Sequence, residues 1–313
     1  MKILITGATG LVGNEIVKLC HQQGYTVNYL SRNKSNLSNE INYKGFYWNI
    51  DSGEIDEDCF KDVNAIIHLA GASIAKRWTK HYKKSIIDSR VKSAEMLYNA
   101  LERIPNQVEH FISASAVGYY PSSYINYYTE EHEEVSLSFL GQVVSKWEDS
   151  ASQFEKLNIN VAKVRIGLVL DQNEGALQQI AKPVKMGLGS ALGSGEQWQS
   201  WIHVEDLARL FMHVLNNDLQ GVYNGVAPAS KTNNVFTKKL ANLLQRPYFM
   251  PNVPAFMLKL ILGEMHTLLL ESQRVSSKKI ENTGFQFNYH CLKNALENIY
   301  SIPTSNTNVS SFS

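Results

Sequence analysis

Three glycines near the start of the chain have the spacing of a dinucleotide-binding turn. Gly7, Gly10 and Gly13 follow a short apolar run, residues 3–5, and open an amphipathic stretch, residues 11–23. In such a turn the first glycine permits the tight bend, the second lets backbone approach a pyrophosphate, and the third allows close helix packing. The free N–H groups and the dipole of the helix then favour an anion. The predicted cofactor contacts of this turn are Gly7, Thr9, Gly10, Leu11, Val12 and Gly13.

The end of the second predicted strand, residues 25–30, indicates which dinucleotide binds. An acidic residue there would hydrogen-bond the 2′-hydroxyl of NAD and repel a 2′-phosphate. The chain instead has Ser31 and Arg32, and a guanidinium beside a hydroxyl suits a phosphate. NADP(H) is therefore favoured, and an Arg32 that is only a solvated loop residue is the alternative.

A serine and two tyrosines follow a later apolar segment, residues 108–112. Ser115 stands where this predicted strand ends, and Tyr119 and Tyr120 come shortly afterwards. A hydroxyl at the carboxyl end of a parallel strand can hold a substrate carbonyl or hydroxyl over a nicotinamide ring. Ser115, Tyr119 and His203 are the predicted catalytic residues.

The elements that must position these residues alternate between strand and helix. Residues 64–72 and 160–170 are nearly continuous apolar runs, which is typical of buried parallel strands. The first of these ends in Leu69-Ala70-Gly71, where a cofactor could lie across the strand end. Helices are predicted over residues 82–104 and 137–157. This repeated βαβ order predicts an α/β fold with one doubly wound parallel sheet.

The predicted domains divide near residue 170. Residues 1–170 form the dinucleotide-binding domain, whose sheet is completed by part of 200–230. Residues 171–302 form a smaller, mostly helical lobe on the substrate side, with a glycine-rich loop at 187–197 that neither follows a strand nor opens a helix. Residues 303–313 are rich in Ser, Asn and Thr and are expected to form a flexible tail.

Composition excludes several other classes of function. A net charge of +1 over 313 residues leaves no basic surface for nucleic acid or for an anionic membrane. The 3 cysteines are far apart and lack metal-ligand spacing, which indicates a reducing compartment and no metal site. The most apolar window, residues 255–270, is too short and too charged to span a bilayer. We therefore expect a cytoplasmic protein.

Several blocks together resemble the extended short-chain dehydrogenase/reductases, and among them the atypical "epimerase family" group of undefined substrate. The resemblance covers nearly the full chain. Its motifs are Thr6-Gly7-Ala8-Thr9-Gly10-Leu11-Val12-Gly13, Arg77-Trp78-Thr79, Ser89-Arg90, residues 113–120, Trp147-Glu148, residues 165–170, Gly193-Ser194-Gly195-Glu196-Gln197, residues 201–206, Leu262-Gly263-Glu264 and Gln273-Arg274-Val275.

This resemblance implies a Rossmann fold, NADP(H) binding and a C-terminal lobe that closes over a small-molecule site. It adds Arg165 to the cofactor contacts. The charges of Asp88 and Arg90 on the predicted helix have two interpretations. They form a surface salt bridge, or Arg90 lines a pocket for an anionic substrate together with Arg77. The predicted substrate residues are Arg77, Trp78, Arg90, Gln197 and Trp201.

One departure from the superfamily limits the prediction of chemistry. Those enzymes pair a tyrosine with a lysine four residues later, which lowers the pKa of the phenol. In the segment from Ser115 to the end of the helix predicted over residues 137–157, no tyrosine has a lysine at that distance. Two hypotheses remain: an NADP(H)-dependent oxidoreductase or epimerase acting on an unknown small molecule, or a catalytically weak or inactive NADP(H)-binding sensor or scaffold. By resemblance, a homodimer through residues 82–104 and 137–157 is also possible.

Overall fold

The computed structural model describes residues 1–172 and 174–300. Its strands are β1 (Lys2–Thr6), β2 (Thr26–Ser31), β3 (Asn39–Glu40), β4 (Tyr43–Asn49), β5 (Glu54–Ile55), β6 (Ala65–His68), β7 (His110–Ala116), β8 (Tyr127–Tyr128), β9 (Asn160–Ile166), β10 (Leu168–Leu170), β11 (Trp198–Gln199), β12 (Trp201–His203), β13 (Gly221–Gly225), β14 (Lys231–Thr232) and β15 (Arg274–Val275). Its α-helices are α1 (Leu11–Gln22), α2 (Lys80–Arg103), α3 (Phe139–Ser152), α4 (Gly175–Lys185), α5 (Val204–Asn216), α6 (Asn233–Leu243), α7 (Ala255–Leu262), α8 (Thr267–Leu270), α9 (Lys278–Glu281) and α10 (Leu292–Ile299).

The central sheet has the order β13-β9-β7-β6-β1-β2-β4-β3, with β5 on β4. All of its pairs are parallel except those that β3 and β5 make with β4. Because parallel strands end on the same edge, Thr6, Ser31 and His68 share the carboxyl edge with Ser115. The predicted doubly wound α/β fold is confirmed, as is the helical C-terminal part.

Alternating side chains of the sheet build a core on each face. Ile3 and Ile5 pack with α1 and α5, whereas Leu4 faces α2 and α3. A third cluster lies within the C-terminal lobe and joins α6 to α10 and to β12. The sheet is therefore covered on both sides, and its carboxyl edge is left for the site.

The predicted elements differ from the structure at three places. The predicted strand over residues 160–170 is interrupted at Gly167, where a Cβ would lie 2.3 Å from the carbonyl oxygen of Ser200. The chain therefore leaves the main sheet, and β10 pairs with β12 instead. The predicted helix over 137–157 ends at Ser152 and continues as a 3₁₀ turn, and the short strand β3 forms where no strand is predicted. The predicted tail, residues 303–313, lies outside the described residues.

The turn between β1 and α1 depends on a close approach at Gly13. A Cβ on this residue would lie 2.2 Å from the carbonyl oxygen of Gly7 and 2.7 Å from the Cα of Ala8. Both neighbours are backbone atoms, which cannot rotate away as a side chain would. Gly13 therefore sets the distance between helix and strand.

We predict that Gly13→Ala lowers the free energy of unfolding by about 1–3 kcal/mol, because the turn must shift to admit the methyl group. Urea denaturation measures this change. Gly118→Ala is the matched control, since its Cβ would meet only the Cβ of Leu140 at 3.6 Å. Equal stability of the two variants would contradict the packing argument.

Candidate functional site

The glycine turn presents backbone N–H groups at the carboxyl edge of the sheet. Gly7 has a φ of +75° and its carbonyl accepts a hydrogen bond of 3.0 Å from the N–H of Gly10. Gly10 precedes α1, and no side chain caps that helix. The amides of Leu11 and Val12 therefore open the helix with no side-chain acceptor, which is the arrangement that binds phosphate.

A buried histidine fixes the neighbouring loop. Thr6 Oγ1 accepts from the N–H groups of Leu69 and Ala70, both at 3.1 Å, and lies 2.8 Å from Nδ1 of His68. The other ring nitrogen lies 3.1 Å from the hydroxyl of Ser93. This network favours a neutral ring that accepts from Thr6 and donates to Ser93. Burial lowers the pKa of His68 to about 4.

The end of β2 exposes the predicted 2′-phosphate residues. Ser31 hydrogen-bonds the backbone of Asn33 through its hydroxyl, with both distances at 3.2 Å. Arg32 is solvent-exposed. Both side chains can therefore be approached from the edge where the glycine turn lies.

Ser115 is held by a buried carboxylate. Its hydroxyl, only 2% exposed, donates to Oε1 of Glu148 at 2.5 Å. Arg165 grips the same carboxylate with two hydrogen bonds, of 2.8 Å from Nε and 2.9 Å from Nη2. Ser115 and Arg165 face one another in the β7–β9 register. The serine proton is thus committed to Glu148, and its lone pairs remain to accept from a ligand.

Arg165 is buried and pairs with Glu148. It is 3% exposed, and its guanidinium lies 3.4 Å from the centroid of the Tyr119 ring. Burial disfavours its charge, yet the hydrogen bonds and charge of Glu148 hold the pKa of Arg165 above its usual value. The guanidinium of Arg165, a predicted cofactor contact, is therefore not exposed at the carboxyl edge of the sheet.

The two tyrosines after Ser115 have different environments. Tyr119 is half-buried and donates to the carbonyl of Glu133 at 3.1 Å. Tyr120 is fully buried and donates to Asn224 at 2.8 Å, and burial raises its pKa to about 12. Helix α3 offers no replacement phenol, and its lysine, Lys146, is exposed to solvent.

His203 lies on the separate β10–β12 ribbon that follows the interruption at Gly167. It pairs there with Leu170, and its Nδ1 accepts from the N–H of Glu205 to cap α5. Its ring stacks on Tyr289 with centroids 3.9 Å apart, and burial lowers its pKa. The structure gives His203 a capping role, and its catalytic role stays a prediction.

Two predicted substrate residues belong to the packing of the lobe. Trp201 is fully buried, and its indole N–H donates to the carbonyl of Ala229 at 3.0 Å. Gln197 donates to the carbonyls of Leu192 and Leu269, both at 3.0 Å. Neither side chain is exposed to a substrate, because both are used to join segments of the chain.

The other predicted substrate residues lie near α2 and α3. Arg77 is exposed, and Trp78 packs edge-on against Phe139 with centroids 5.1 Å apart. Arg90 lies over the ring of Trp147, with 4.9 Å between Cζ and the ring centroid. Trp78 and Arg90 therefore both pack against α3.

Glu148 is the site residue whose role sequence reasoning missed. It stands on an otherwise buried face of α3, next to Trp147. An acidic residue on an apolar helix face indicates a buried cationic or hydrogen-bonding partner. The partner here, Arg165, is 17 residues away on a strand, and the sequence pattern does not identify it.

Two protein-family models and a relative of similar length match this chain. Residues 3–138 match the model of the NAD-dependent epimerase/dehydratase family, and residues 253–299 match a domain of unknown function (DUF1731). An epimerase family protein of Staphylococcus saprophyticus is 38% identical over 298 residues, which are 95% of this chain and 98% of that protein.

Solved structures share the fold. The human epimerase family protein SDR39U1, determined with NADPH, superposes with a TM-score of 0.82 at 29% identity, over 97% of this chain and 100% of that one. The UDP-glucuronic acid 4-epimerase of Bacillus cereus, with UDP-glucuronic acid and NAD, gives 0.77 at 16% identity over 96% and 98%. The second likeness shows the fold alone.

Neither a metal-binding cluster nor a membrane-spanning helix is present in the described ranges, 1–172 and 174–300. They contain no group of three His, Cys, Asp or Glu side chains placed to hold a metal ion. Nor do they contain a helix with the length and apolar character needed to cross a bilayer.

We predict that Glu148→Ala lowers the free energy of unfolding by about 3–5 kcal/mol, because it leaves the buried Arg165 cation unpaired. Urea denaturation measures the loss. Glu57→Ala is the control, because its pair with Arg103 is exposed and is expected to contribute at most about 1 kcal/mol. Similar losses in the two variants would contradict the prediction that the buried pair contributes more to stability than the exposed pair.

The buried His68 predicts an acid-sensitive stability. Its folded pKa of about 4 lies below the unfolded value, so the unfolded chain takes up the proton first. Stability attributable to His68 is therefore constant above pH 6.5 and falls between pH 6.5 and 4, by up to about 3 kcal/mol. The test compares unfolding free energies of wild type and His68→Gln across this range. Parallel pH profiles would contradict the prediction.

Proposed function

The chain belongs to the NAD-dependent epimerase/dehydratase family, and we propose that it binds NADPH in preference to NADH and transfers hydride between this cofactor and a small molecule. The observation that carries the proposal is the shared edge of the sheet, where the glycine turn, Arg32 and Ser115 lie at the ends of neighbouring parallel strands. Ligands of doubly wound sheets bind at this edge.

The residues present fit a phosphorylated dinucleotide. The amides of Leu11 and Val12 would hold the pyrophosphate, and Ser31 with Arg32 would hold the 2′-phosphate. No acidic side chain follows β2 to repel that phosphate. The related human protein, determined with NADPH, supports the same preference.

Ser115 is the group proposed to orient the substrate oxygen. Since the Ser115 proton points to Glu148, the hydroxyl oxygen can accept a hydrogen bond from the hydroxyl of an alcohol substrate, which would give its hydride to NADP⁺. In the reverse direction NADPH would give the hydride to the carbonyl carbon, and the phenol of Tyr119, the second proposed catalytic hydroxyl, would give the proton to the carbonyl oxygen. His203 is not part of this proposal.

The second candidate function is a sensor or scaffold that binds NADPH without turnover. It is favoured by the absence of a Tyr-x-x-x-Lys pair from α3 and by the buried, hydrogen-bonded state of Tyr120. The two functions differ in one observable, the oxidation of bound NADPH by added carbonyl compounds. A homodimer through α2 and α3 also remains a prediction.

We predict that Arg32→Ala weakens NADPH binding about 10- to 100-fold, because it removes charge-assisted hydrogen bonds to the 2′-phosphate. NADH, which lacks this phosphate, should bind both forms equally. Calorimetric titration of each protein with each cofactor measures the difference. Lys34→Ala, two residues later in the same exposed loop, controls for net charge.

A loss of affinity for both cofactors in Arg32→Ala would contradict the phosphate assignment. If wild type bound neither cofactor, the proposed function as a whole would fail.

A further inference from the structure

Arg90 lies against the backbone at the end of β6. A Cβ on Gly71 would be 2.9 Å from the guanidinium carbon of Arg90, so the guanidinium lies close against this backbone. Its Nη1 donates to the carbonyls of Ala72, at 3.2 Å, and Ile86, at 3.0 Å. The guanidinium is therefore fixed beside the loop that follows β6.

The same guanidinium also contacts helix α3. Its Cζ lies 4.9 Å from the ring centroid of Trp147. The next residue on this helix, Glu148, accepts the hydrogen bond of Ser115. Arg90 thus contacts both the loop that follows β6 and the helix that holds the proposed substrate-orienting serine.

Arg90 has no counter-ion in the described part of the chain. The nearby acid, Asp88, pairs with Lys84 and Lys92, and no carboxylate lies within ion-pair distance of Arg90 in these residues. The interpretation of Arg90 as half of a surface salt bridge is therefore wrong. Burial lowers the pKa of Arg90 to about 10, since desolvation disfavours its charge. A desolvated cation is costly without an anion.

A buried N–H donor next to Arg90 lacks an acceptor. The indole Nε1 of Trp147 has no hydrogen-bond partner among the described residues, and the side chain is 6% exposed. Buried N–H donors normally have partners. An unpaired cation and an unpaired N–H side by side are what an oxygen anion would satisfy.

We propose that Arg90 and Trp147 bind an oxyanion of the substrate, a carboxylate or a phosphate. This proposal rests on the proposed function and names the substrate class: an anionic hydroxyl or carbonyl compound whose charged group lies on Arg90 while its reacting oxygen lies at Ser115. Arg165 cannot serve the same purpose, because Glu148 already neutralises it.

A purely structural role for Arg90 makes a different prediction. Both Ser89 and Arg90 hydrogen-bond the backbone of Ala72. The hydroxyl of Ser89 accepts from the N–H of Ala72 at 2.8 Å, and Arg90 donates to its carbonyl. If Arg90 only anchors this loop, loosening the loop at Ser89 should have the same effect as removing the cation.

The test titrates the full-length protein with malonate and with inorganic phosphate, with and without saturating NADPH, and follows the thermal unfolding midpoint. We expect at least one anion to bind wild type saturably. Arg90→Gln should weaken that binding about tenfold or more, Arg90→Lys less, and Trp147→Phe a few-fold, because each removes part of the donor set. Ser89→Ala should stay within about twofold of wild type, as should Arg103→Gln, an exposed charge on the same helix.

Three outcomes would overturn the proposal. One is the absence of saturable anion binding to wild type, and another is an equal loss in Ser89→Ala and Arg90→Gln. The third is an Arg90→Gln variant that loses NADPH affinity but keeps its response to anions, which would assign Arg90 to the cofactor phosphates. If wild type failed to bind NADPH but still bound anions through Arg90, the proposed function would fail while the anion site would stand.

Discussion

The buried carboxylate of Glu148 is the interaction on which the arrangement of the site depends. It binds Ser115 on β7 and Arg165 on β9, and it fixes α3 against both strands. Arg165 in turn supports the tyrosines that follow Ser115. The network continues from Tyr120 through Asn224 on β13 to the carbonyl of Ser276, which follows β15. Removing either Glu148 or Arg165 would leave the other charge buried and unpaired, so the pair holds these elements in one geometry.

The site contains two arginines with opposite electrostatic states. Arg165 is closed, since its charge is neutralised within the protein and its face is covered by aromatic rings. Arg90 is open, since its hydrogen bonds go only to carbonyl groups. The superfamily that the chain resembles places a lysine near the reacting centre, whereas here the cation without a partner comes from α2. Charge is therefore available for a ligand even though α3 lacks the usual Tyr-x-x-x-Lys pair.

Local patterns in the sequence predicted the frame of the molecule. The glycine spacing, the apolar runs and the helix periods follow from backbone geometry and burial, and the sheet and α1 were found where these patterns place them. Side-chain roles were predicted less well. His203, Trp201 and Gln197 lie in specific motifs, yet the structure uses them to cap a helix, fill a core and join two loops. Motif membership does not separate packing from chemistry. Glu148 was missed because its partner is set by strand pairing, and Arg90 was ambiguous because adjacency to Asp88 in sequence is not contact in space.

The most direct test of this account is a crystal structure of the protein with NADPH. The account predicts the pyrophosphate on the amides of Leu11 and Val12, the 2′-phosphate on Ser31 and Arg32, and the nicotinamide ring beside Ser115. It also predicts that the guanidinium of Arg90 stays free of the cofactor phosphates and faces the space next to that ring. A nicotinamide far from Ser115, or a pyrophosphate bound by Arg90, would contradict it.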